Sequence, residues 1–566
     1  MGPRRFVAYA AAAISFLSAS AFAGHDRTIF YNGKVFTSNE QSLWAEGVVV
    51  EDRFILAVGS TQAVLSYKED DSKLVDLEGK VLMPGFNDAH VHPFDTTSFP
   101  RAVQLNLATD FLPTPGPSLQ EIIELIKRGA AENPPGTWLV ASVGTRVVED
   151  PNANRFTLQD AAPNHPVLLA AWYGHGTFLN NTALEVLGIG EEEPDPFGGS
   201  YERLPGSNVI TGVVHEYAEH LIRRYFASQM TDQEFRTLYE QFAAGAARMG
   251  YTSIQEFSVG VPQERHLDLL AQSRIPIRWR AICFPLSLEE RCDVPQRFSP
   301  ARPFPQLTAS GIKWIADGTD IERLAFLSED YADAPGVRGR LNIPAISLET
   351  ALRRSINGRA VDTQAMFHAV GDATADSILD GMSSVASDEQ WKLLRPRIEH
   401  GTLLRAHRYT DASSKGVFVV QNPIHFSFFF AELVGTRFSP TLFADVDPMK
   451  SLLDAGVKVA IGSDSVVAPG NPYLDLFFAL IQPTHPSEAL SIEQAVIAYT
   501  KTSAEAEFQE QWKGTLEPGK VADLIVLSQD IFRIQPEAIP GTQALLTMVD
   551  GKVVYDAGVM TADVSG

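Results

Sequence analysis

Residues 82–93 read LMPGFNDAHVHP, and this stretch places two histidines, His90 and His92, one residue apart. On a β-strand, side chains two positions apart leave from the same face, so both imidazoles can reach one metal ion. On a helix the two side chains would lie about 200° apart and would not converge. The pair therefore indicates a metal site only if a strand ends here.

Seven further short apolar runs follow, and amphipathic stretches such as LETALRRSI separate most of them. Eight strand-like runs alternating with helices predict a parallel α/β fold, and eight is the strand number of a (β/α)₈ TIM barrel. An open doubly wound sheet is the alternative, but no Gly-rich dinucleotide loop follows the first run. About 150 residues separate the first two runs, which indicates an insertion or cap at about 98–248. The runs begin at residues 81, 251, 276, 311, 363, 395, 416 and 455.

Both ends of the chain are rich in strand-like segments. Breaks at Asn-Gly, Glu-Asp and Glu-Gly within residues 28–83 predict hairpins, and the C-terminal ALLTMVDGKVVYDAG turns at Asp-Gly. We expect residues 24–83 and 512–566 to form one small β-sandwich domain beside a barrel at 84–511.

The first 23 residues have the pattern of a signal peptide. Arg4 and Arg5 precede the apolar stretch FVAYAAAAISFLSA, and Ala21-Phe22-Ala23 forms a small-x-small cleavage site. The apolar stretch is shorter than a membrane span, so we expect no stable membrane anchor after its removal. We therefore expect an exported protein, periplasmic or secreted.

The charge and the cysteines limit the partners and the ligands. The formal charge is −23, with 69 acidic and 46 basic residues, which argues against nucleic acid and anionic membranes as partners. A homo-oligomer is compatible with the sequence. Export permits a disulfide between Cys283 and Cys292, but the apolar run PIRWRAICF favours a buried thiol. Two cysteines cannot form a sulfur-rich zinc site, so a metal must use histidine, aspartate or lysine-derived ligands.

Polar side chains end almost every run, and in a barrel the active site lies at that end of the strands. A single histidine at a strand end is usually structural, but several histidines and an aspartate around one barrel indicate a divalent metal, first of all zinc. The polar residues are His90, His92, Glu256, Lys313, Asp317, His368, Asp372, His400, Gln421 and Asp464.

The order of these motifs resembles the amidohydrolase superfamily. HVH after PGF, then GIKWIADG, HAVGD, RIEHG and GSDSVV resemble most closely its YtcJ-like branch, which includes N-substituted formamide deformylases. The likeness extends to GTLEPGKVADLIVLSQD near the C-terminus. It includes HPVLLAAWYGHGTFLNNTAL and TGVVHEYA in the insertion.

The resemblance implies a metal hydrolase with one or two metal ions. It implies that Lys313 is carbamylated and bridges the metals, and that Asp464 binds metal and shuttles a proton. The alternative for Lys313 is an ammonium paired with Asp317 or Glu256. The implied metal ligands are His90, His92, Lys313, His368, His400 and Asp464.

Four further residues are candidates for contact with substrate: His175, Glu256, Asp317 and Gln421. Glu256 could instead support the ligands from behind, and His175 could be a structural loop residue. The insertion's aromatic residues, with PIHFSFFF at 423–430, either line an apolar pocket or pack the core of the cap. Ala373 stands where the superfamily often has arginine, and HEYAEH at 215–220 lacks the His-Glu-x-x-His spacing.

We expect metal-activated water to hydrolyse the C–N bond of a small amide-like substrate. Alternatives on the same site are a ring deaminase and an esterase or lactonase. A non-catalytic binding or regulatory protein on the hydrolase scaffold is the alternative from another class. The complete set of six ligand positions argues against a decayed site.

Overall fold

A parallel sheet of nine segments forms the centre of the structure. The computed structural model describes residues 26–106, 114–257, 259–298, 305–358, 363–466 and 469–560, and the predicted signal peptide lies outside them. Consecutive strands pair in parallel, and the last segment pairs with the first. All eight predicted runs form strands of this TIM-barrel-like fold. The segments are Phe86–His92, Tyr251–Phe257, Arg278–Cys283, Leu307–Ile315, Ala365–Ala369, Arg397–His400, Phe418–Gln421, Lys458–Ile461 and Ser465–Val466.

Helices connect most of these strands. The strand interiors are buried on both faces, which explains why the sequence shows continuous apolar runs instead of alternation. Thr231 caps the helix Asp232–Met249 through a reciprocal pair with Glu234, and Gly250 ends it with a φ of 95° immediately before the second strand. The longer helices around the barrel are Asp232–Met249, Gln263–Gln272, Ala345–Asn357, Asp372–Val385, Asp388–Leu394, Tyr409–Ser414, Phe428–Arg437, Met449–Asp454, Pro472–Ile481 and Ile492–Ile497.

The ends of the chain form two further sheets: one contains N-terminal strands, and the other combines strands from both ends of the chain. One has four strands and the other six, and buried side chains of both sheets share one hydrophobic cluster. The four strands are Arg27–Tyr31, Gly47–Glu51, Phe54–Gly59 and Lys73–Asp76. The six are Lys34–Phe36, Trp44–Ala45, Val81–Pro84, Leu524–Leu527, Ala544–Val549 and Lys552–Asp556.

Two of the predicted N-terminal hairpins are wrong. The strands on either side of Asn32-Gly33 belong to different sheets, and so do those on either side of Glu78-Gly79. The chain crosses from one sheet to the other at these turns, and turn composition alone does not distinguish a crossing from a hairpin. The turns at Glu51-Asp52 and Asp550-Gly551 do join antiparallel neighbours.

The segment between the first two barrel strands contains a sheet of its own. This sheet has six strands and a separate apolar cluster beneath them, and its order across the sheet runs from Gly199–Arg203 at one edge through Ile210–Glu216, Gly176–Leu179, Val167–Ala171 and Leu139–Val143 to Val103–Gln104 at the other. These strands are Val103–Gln104, Leu139–Val143, Val167–Ala171, Gly176–Leu179, Gly199–Arg203 and Ile210–Glu216. The helices of this segment are Leu119–Glu132, Thr145–Val148, Arg155–Ala161, Asn181–Leu187 and Tyr217–Gln229.

The two cysteines form a disulfide, so the interpretation of Cys283 as a buried free thiol is wrong. Cys283 ends the third barrel strand, and the loop after it returns so that the Cα of Cys292 lies 5.7 Å away, within bridging range.

Within the described residues, no helix is both long enough and apolar enough to cross a bilayer.

Candidate functional site

A cavity of about 570 Å³ opens at the carboxyl ends of the barrel strands. This is the end at which a TIM-barrel-like fold places its active site. The six predicted metal ligands all line the cavity, although they are spread over more than 370 residues of sequence. They are His90, His92, Lys313, His368, His400 and Asp464.

His90, His92 and Asp464 form the tightest group. The Nε2 atoms of the two histidines are 3.2 Å apart, and each lies 3.3 Å from Oδ1 of Asp464. The Asp464 N–H donates to the carbonyl of His90 at 2.7 Å, and Asp88 accepts hydrogen bonds from the N–H groups of His90 and Ser463. These bonds hold the first and last strands together where the ligand atoms meet.

Three of the site histidines are oriented by contacts to the ring nitrogen that faces away from the cavity. Such a contact fixes the ring and leaves Nε2 toward the cavity, as in metal-binding histidines generally. The pairs are His90 Nδ1 with Glu399 Oε2 at 2.8 Å, His368 Nδ1 with Asp317 Oδ1 at 3.3 Å, and His400 Nδ1 with Asn422 Oδ1 at 2.8 Å.

The electrostatics suit a cation held by neutral imidazoles. Burial holds the pKa of His90, His368 and His400 well below the usual value, so these rings are neutral at pH 7. Burial alone would raise the pKa of Asp464, but His90 and the other nearby histidines outweigh it and hold this pKa far below its usual range. A neutral histidine set with an ionised aspartate is a competent donor set for a divalent metal.

Two ligand candidates have left-handed backbones. The φ of His400 is 69° and that of Asp464 is 50°. Non-glycine residues adopt this conformation at a cost, and such residues are concentrated at functional sites. Here the conformation turns each side chain into the cavity at the end of its strand.

Lys313 has an unusual environment for a lysine. Its side chain is 1% exposed and its Nζ lies 4.4 Å from the centre of the Phe257 ring. Burial lowers the pKa of its amine to about 8. Within the described residues its amine has neither an ion pair nor a hydrogen bond, so neither Asp317 nor Glu256 serves as its partner.

Asp317 supports His368 from behind and does not line the cavity. Its carboxylate is fully buried and accepts hydrogen bonds from the N–H groups of Val370 and Gly371 and from the Thr374 hydroxyl, besides its contact to His368 Nδ1. It is therefore placed to orient a ligand and not to touch a substrate.

Replacing Asp317 by asparagine should weaken metal binding without unfolding the protein. The amide keeps the shape but replaces one of the two accepting oxygens by an NH₂ group, which disturbs the contact that orients His368. Such changes lower metal affinity by roughly 10- to 100-fold. Competition with a chromophoric chelator measures this affinity. Asp330→Asn, on the surface, is the control and should bind metal as the wild type does. Equal affinity in the Asp317 variant would contradict the role.

Two predicted substrate contacts lie away from the cavity. Glu256 accepts a hydrogen bond from His266 at 2.7 Å and packs beside Trp279, between the barrel and its outer helices. Gln421 is 1% exposed and does not line the cavity either. Because side chains alternate along a strand, a polar residue at a strand end faces the helices as readily as the cavity.

His175 does reach the cavity from the inserted segment. Its ring centre lies 4.6 Å from that of His368, and its Nδ1 contacts both carboxylate oxygens of Glu216 at 3.0–3.1 Å. Glu216 is fully buried and has a φ of 60°. Glu322 completes a group whose ligand atoms lie within 4.8 Å of one another. The HEYAEH sequence at 215–220 does not lie on one helix. His215 and Glu216 end a strand, and the helix begins only at Tyr217.

His425 is a residue of the site that the strand-end pattern did not predict. Its Nε2 lies 3.7 Å from Oδ2 of Asp464, and the rings of His425 and His400 are stacked at 5.7 Å. It lies in the short 3₁₀ turn Pro423–Phe426, one turn beyond a strand end.

The aromatic residues named as candidates for a pocket lie in two places. Trp172, Tyr173 and Phe430 line the cavity, whereas Trp138 and Phe178 pack in the core.

Comparison with known proteins agrees with this geometry. The model of the amidohydrolase family matches residues 73–555, which include every ligand candidate. The chain belongs to the amidohydrolase family. This amidohydrolase is 25% identical over 545 residues to N-substituted formamide deformylase of Arthrobacter pascens, a match that covers 93% of this chain and 97% of the relative.

Two further matches cover nearly the same length. The chain is 24% identical over 554 residues to the putative amidohydrolase YtcJ of Bacillus subtilis, covering 94% of this chain and 99% of the relative. An uncharacterized metal-dependent hydrolase from Pyrococcus horikoshii has a similar structure, with a TM-score of 0.67 and 21% identity over 90% of this chain and 99% of that one. The predicted family is confirmed, and with it an enzyme that acts on C–N bonds.

Proposed function

We propose that this amidohydrolase hydrolyses an amide-like C–N bond of a small organic substrate, using one or two zinc ions. The observation that carries the proposal is the convergence of His90 Nε2, His92 Nε2 and the Asp464 carboxylate within 3.3 Å. Two facing imidazole nitrogens without a proton between them repel each other, and a shared cation removes that repulsion. The neutral state of the buried histidines fits the same cation.

The remaining ligands would complete a second position. His368 and His400 have ring centres 4.6 Å apart, and both present Nε2 to the cavity. The buried amine of Lys313, with no acidic partner among the described residues, supports its carbamylation, which would give an oxygen ligand shared between the two positions. His425 lies close enough to Asp464 to contact a metal or its substrate.

The chain's own residues would then move the proton. A divalent metal held by these ligands would supply Lewis acidity toward a carbonyl and a more acidic water near neutral pH. The ionised Asp464 accepts the water proton and returns it to the departing amine nitrogen as the C–N bond breaks. Asp464 Oδ1 lies 3.3 Å from Nε2 of both His90 and His92, so the carboxylate is beside the place where the water would be activated.

A first substrate class follows from the relatives and the cavity wall. One relative is named for N-substituted formamides. Trp172 and Phe430 face the cavity with ring centres 5.9 Å apart and would cover an apolar N-substituent. N-substituted formamides are therefore the first compounds to assay, before N-acyl amines and lactones.

Metal content tests the proposal directly. Elemental analysis of the purified protein should find about one or two equivalents of zinc, and the loss of a first-strand ligand in His90→Ala should remove most of it. His407→Ala is the control, because His407 is exposed and its ring lies 3.5 Å from Asp376, outside the cavity. A folded wild-type protein that binds no divalent metal when supplied with it would refute the proposal.

We also propose the corresponding domain division and location: a β-sandwich from 24–83 and 512–566, a barrel at 84–511 with an insertion at about 98–248, and export from the cytoplasm. The core that the two terminal sheets share supports the sandwich. The Cys283–Cys292 disulfide supports an oxidising compartment.

A further inference from the structure

A second group of metal-type ligands lies where the inserted segment meets the barrel. Two of its members belong to the sheet of the insertion: His175 precedes the strand Gly176–Leu179, and Glu216 ends the neighbouring strand Ile210–Glu216. Glu322 comes from the loop that follows the fourth barrel strand. One ligand atom from each of the three lies within 4.8 Å of those of the other two. None of the three is among the six candidate ligands of the active site.

The three side chains approach one point. His175 Nδ1 lies 3.1 and 3.0 Å from the two carboxylate oxygens of Glu216. A β-carbon at Gly318 would lie 2.6 Å from Oε1 of Glu216 and 2.9 Å from Oε1 of Glu322, so both carboxylates meet over a face that only glycine leaves open. The N–H of Thr319 donates to Glu322 at 2.8 Å and holds its carboxylate there.

The two carboxylates have no ion pair with a lysine or arginine within the described residues. Arg340 acts on Glu216 only at longer range, because its guanidinium donates to Ser200 at 2.6 Å. Burial raises the pKa of both carboxyls, and the charge of Glu216 raises that of Glu322 further. Two buried like charges side by side cost folding free energy unless a cation is bound between them.

A buried amide without hydrogen bonds lies beside the same carboxylates. Asn342 is 6% exposed, and its side chain is close enough to lower the pKa of Glu216 against the larger effect of burial. Its backbone N–H donates to the carbonyl of Ala316 at 2.7 Å, two residues before Gly318. Neither its amide nitrogen nor its amide oxygen has a hydrogen-bond partner among the described residues. Such an unsatisfied group is costly, and its oxygen is a neutral ligand for a cation.

This donor set favours a hard divalent ion with some affinity for nitrogen. Carboxylate and carbonyl oxygens suit Mn²⁺, and an imidazole is an acceptable further ligand. Ligands roughly 2.2 Å from one such ion lie roughly 3 Å apart when adjacent and about 4.4 Å apart when opposite. Small side-chain rotations would therefore let the present group enclose an ion.

We propose that His175, Glu216 and Glu322, with the amide oxygen of Asn342, bind a structural Mn²⁺ ion that joins the inserted segment to the barrel. This ion is additional to the one or two zinc ions of the active site, and its binding does not depend on the hydrolase reaction. It neutralises the buried carboxylates and fixes the His175 ring on the cavity wall, where its centre lies 4.6 Å from that of His368.

Manganese titration counts this site without turnover. The electron paramagnetic resonance signal of free Mn²⁺ is lost on binding, so titration of chelator-treated protein with MnCl₂ gives both stoichiometry and affinity. We expect Glu322→Gln and Glu216→Gln each to bind one equivalent fewer than the wild type, because an NH₂ group replaces a ligand oxygen. Glu349→Gln is the matched control, since its side chain is 46% exposed and pairs with Arg353 on the surface, and it should bind as the wild type does.

Two further samples separate this ion from the active site. The wild type, first loaded with two equivalents of zinc, should take up one further Mn²⁺, and no uptake overturns the proposal without any variant. In the double variant His90→Ala/Asp464→Asn, adding Glu322→Gln should still remove one equivalent, which supports the site even if no amide is hydrolysed. Equal Mn²⁺ stoichiometry and affinity with and without Glu322→Gln, in protein shown to be folded by circular dichroism, overturns the proposal whatever the enzyme hydrolyses.

Discussion

Asp464→Asn should reduce kcat by roughly 10³-fold, because an amide cannot accept the water proton that the carboxylate accepts. The asparagine has nearly the same volume, and the contacts of its backbone N–H to the His90 carbonyl are unaffected. The fold should therefore persist, while zinc content falls only in part because His90 and His92 remain. Turnover of an N-substituted formamide, normalised to bound zinc, is the measurement.

The control for this variant is Ser465→Ala, which changes the adjacent cavity-lining residue and leaves the carboxylate in place. It should keep activity within a few-fold of wild type. If Asp464→Asn with a full zinc complement retained more than a tenth of wild-type kcat, the proton would have to move through another group, and His425 or His175 would be the next to replace.

Arg397→Met should destabilise the protein by about 3–5 kcal/mol, because it leaves a buried carboxylate uncompensated. Arg397 and Glu399 are both fully buried, and the guanidinium donates to both oxygens of Glu399 at 2.7 and 2.9 Å. It also donates to Gln255 and to the carbonyl of Ala89. Chemical denaturation followed by both fluorescence and circular dichroism gives the free energy of unfolding.

Arg338→Met is the matched control, since Arg338 pairs with Asp330 at 2.7 Å on the surface and such pairs contribute about 0–1 kcal/mol. The Arg397 variant should also bind zinc less tightly, because Glu399 orients His90 through Nδ1. Equal losses of stability in the two arginine variants would contradict the buried pair's role.

The barrel strands and the convergence of the candidate ligands on one cavity were predictable from local pattern. The two-residue period of His90 and His92 fixes a common face whatever surrounds it, and the rule that strand ends converge brings Lys313, His368, His400 and Asp464 to the same cavity. The same rule failed for Glu256, because it gives the end of the strand but not the face. The rule did not predict His425, because the 3₁₀ turn Pro423–Phe426 that carries it begins only after the strand Phe418–Gln421 has ended.

Other features depend on distant partners that no local pattern contains. Asn32-Gly33 has the composition of a hairpin turn, yet the strand after it pairs with Val81–Pro84 instead of its predecessor. The apolar residues around Cys283 favoured a buried thiol, and the sequence does not show that the following loop returns Cys292 to it.

The strand Val81–Pro84 pairs with Leu524–Leu527, so the residues just before the first barrel strand are anchored by a segment more than 400 positions later. During synthesis, the histidine pair of the first strand has left the ribosome long before its anchor exists. The chain cannot complete its fold progressively from the N-terminal side, because closing so long a loop must wait until Leu524–Leu527 has been synthesised. A chain stopped before residue 524 would leave the edge of Val81–Pro84 open to intermolecular strand pairing, so synthesis through this strand is itself a condition for assembling the candidate metal site.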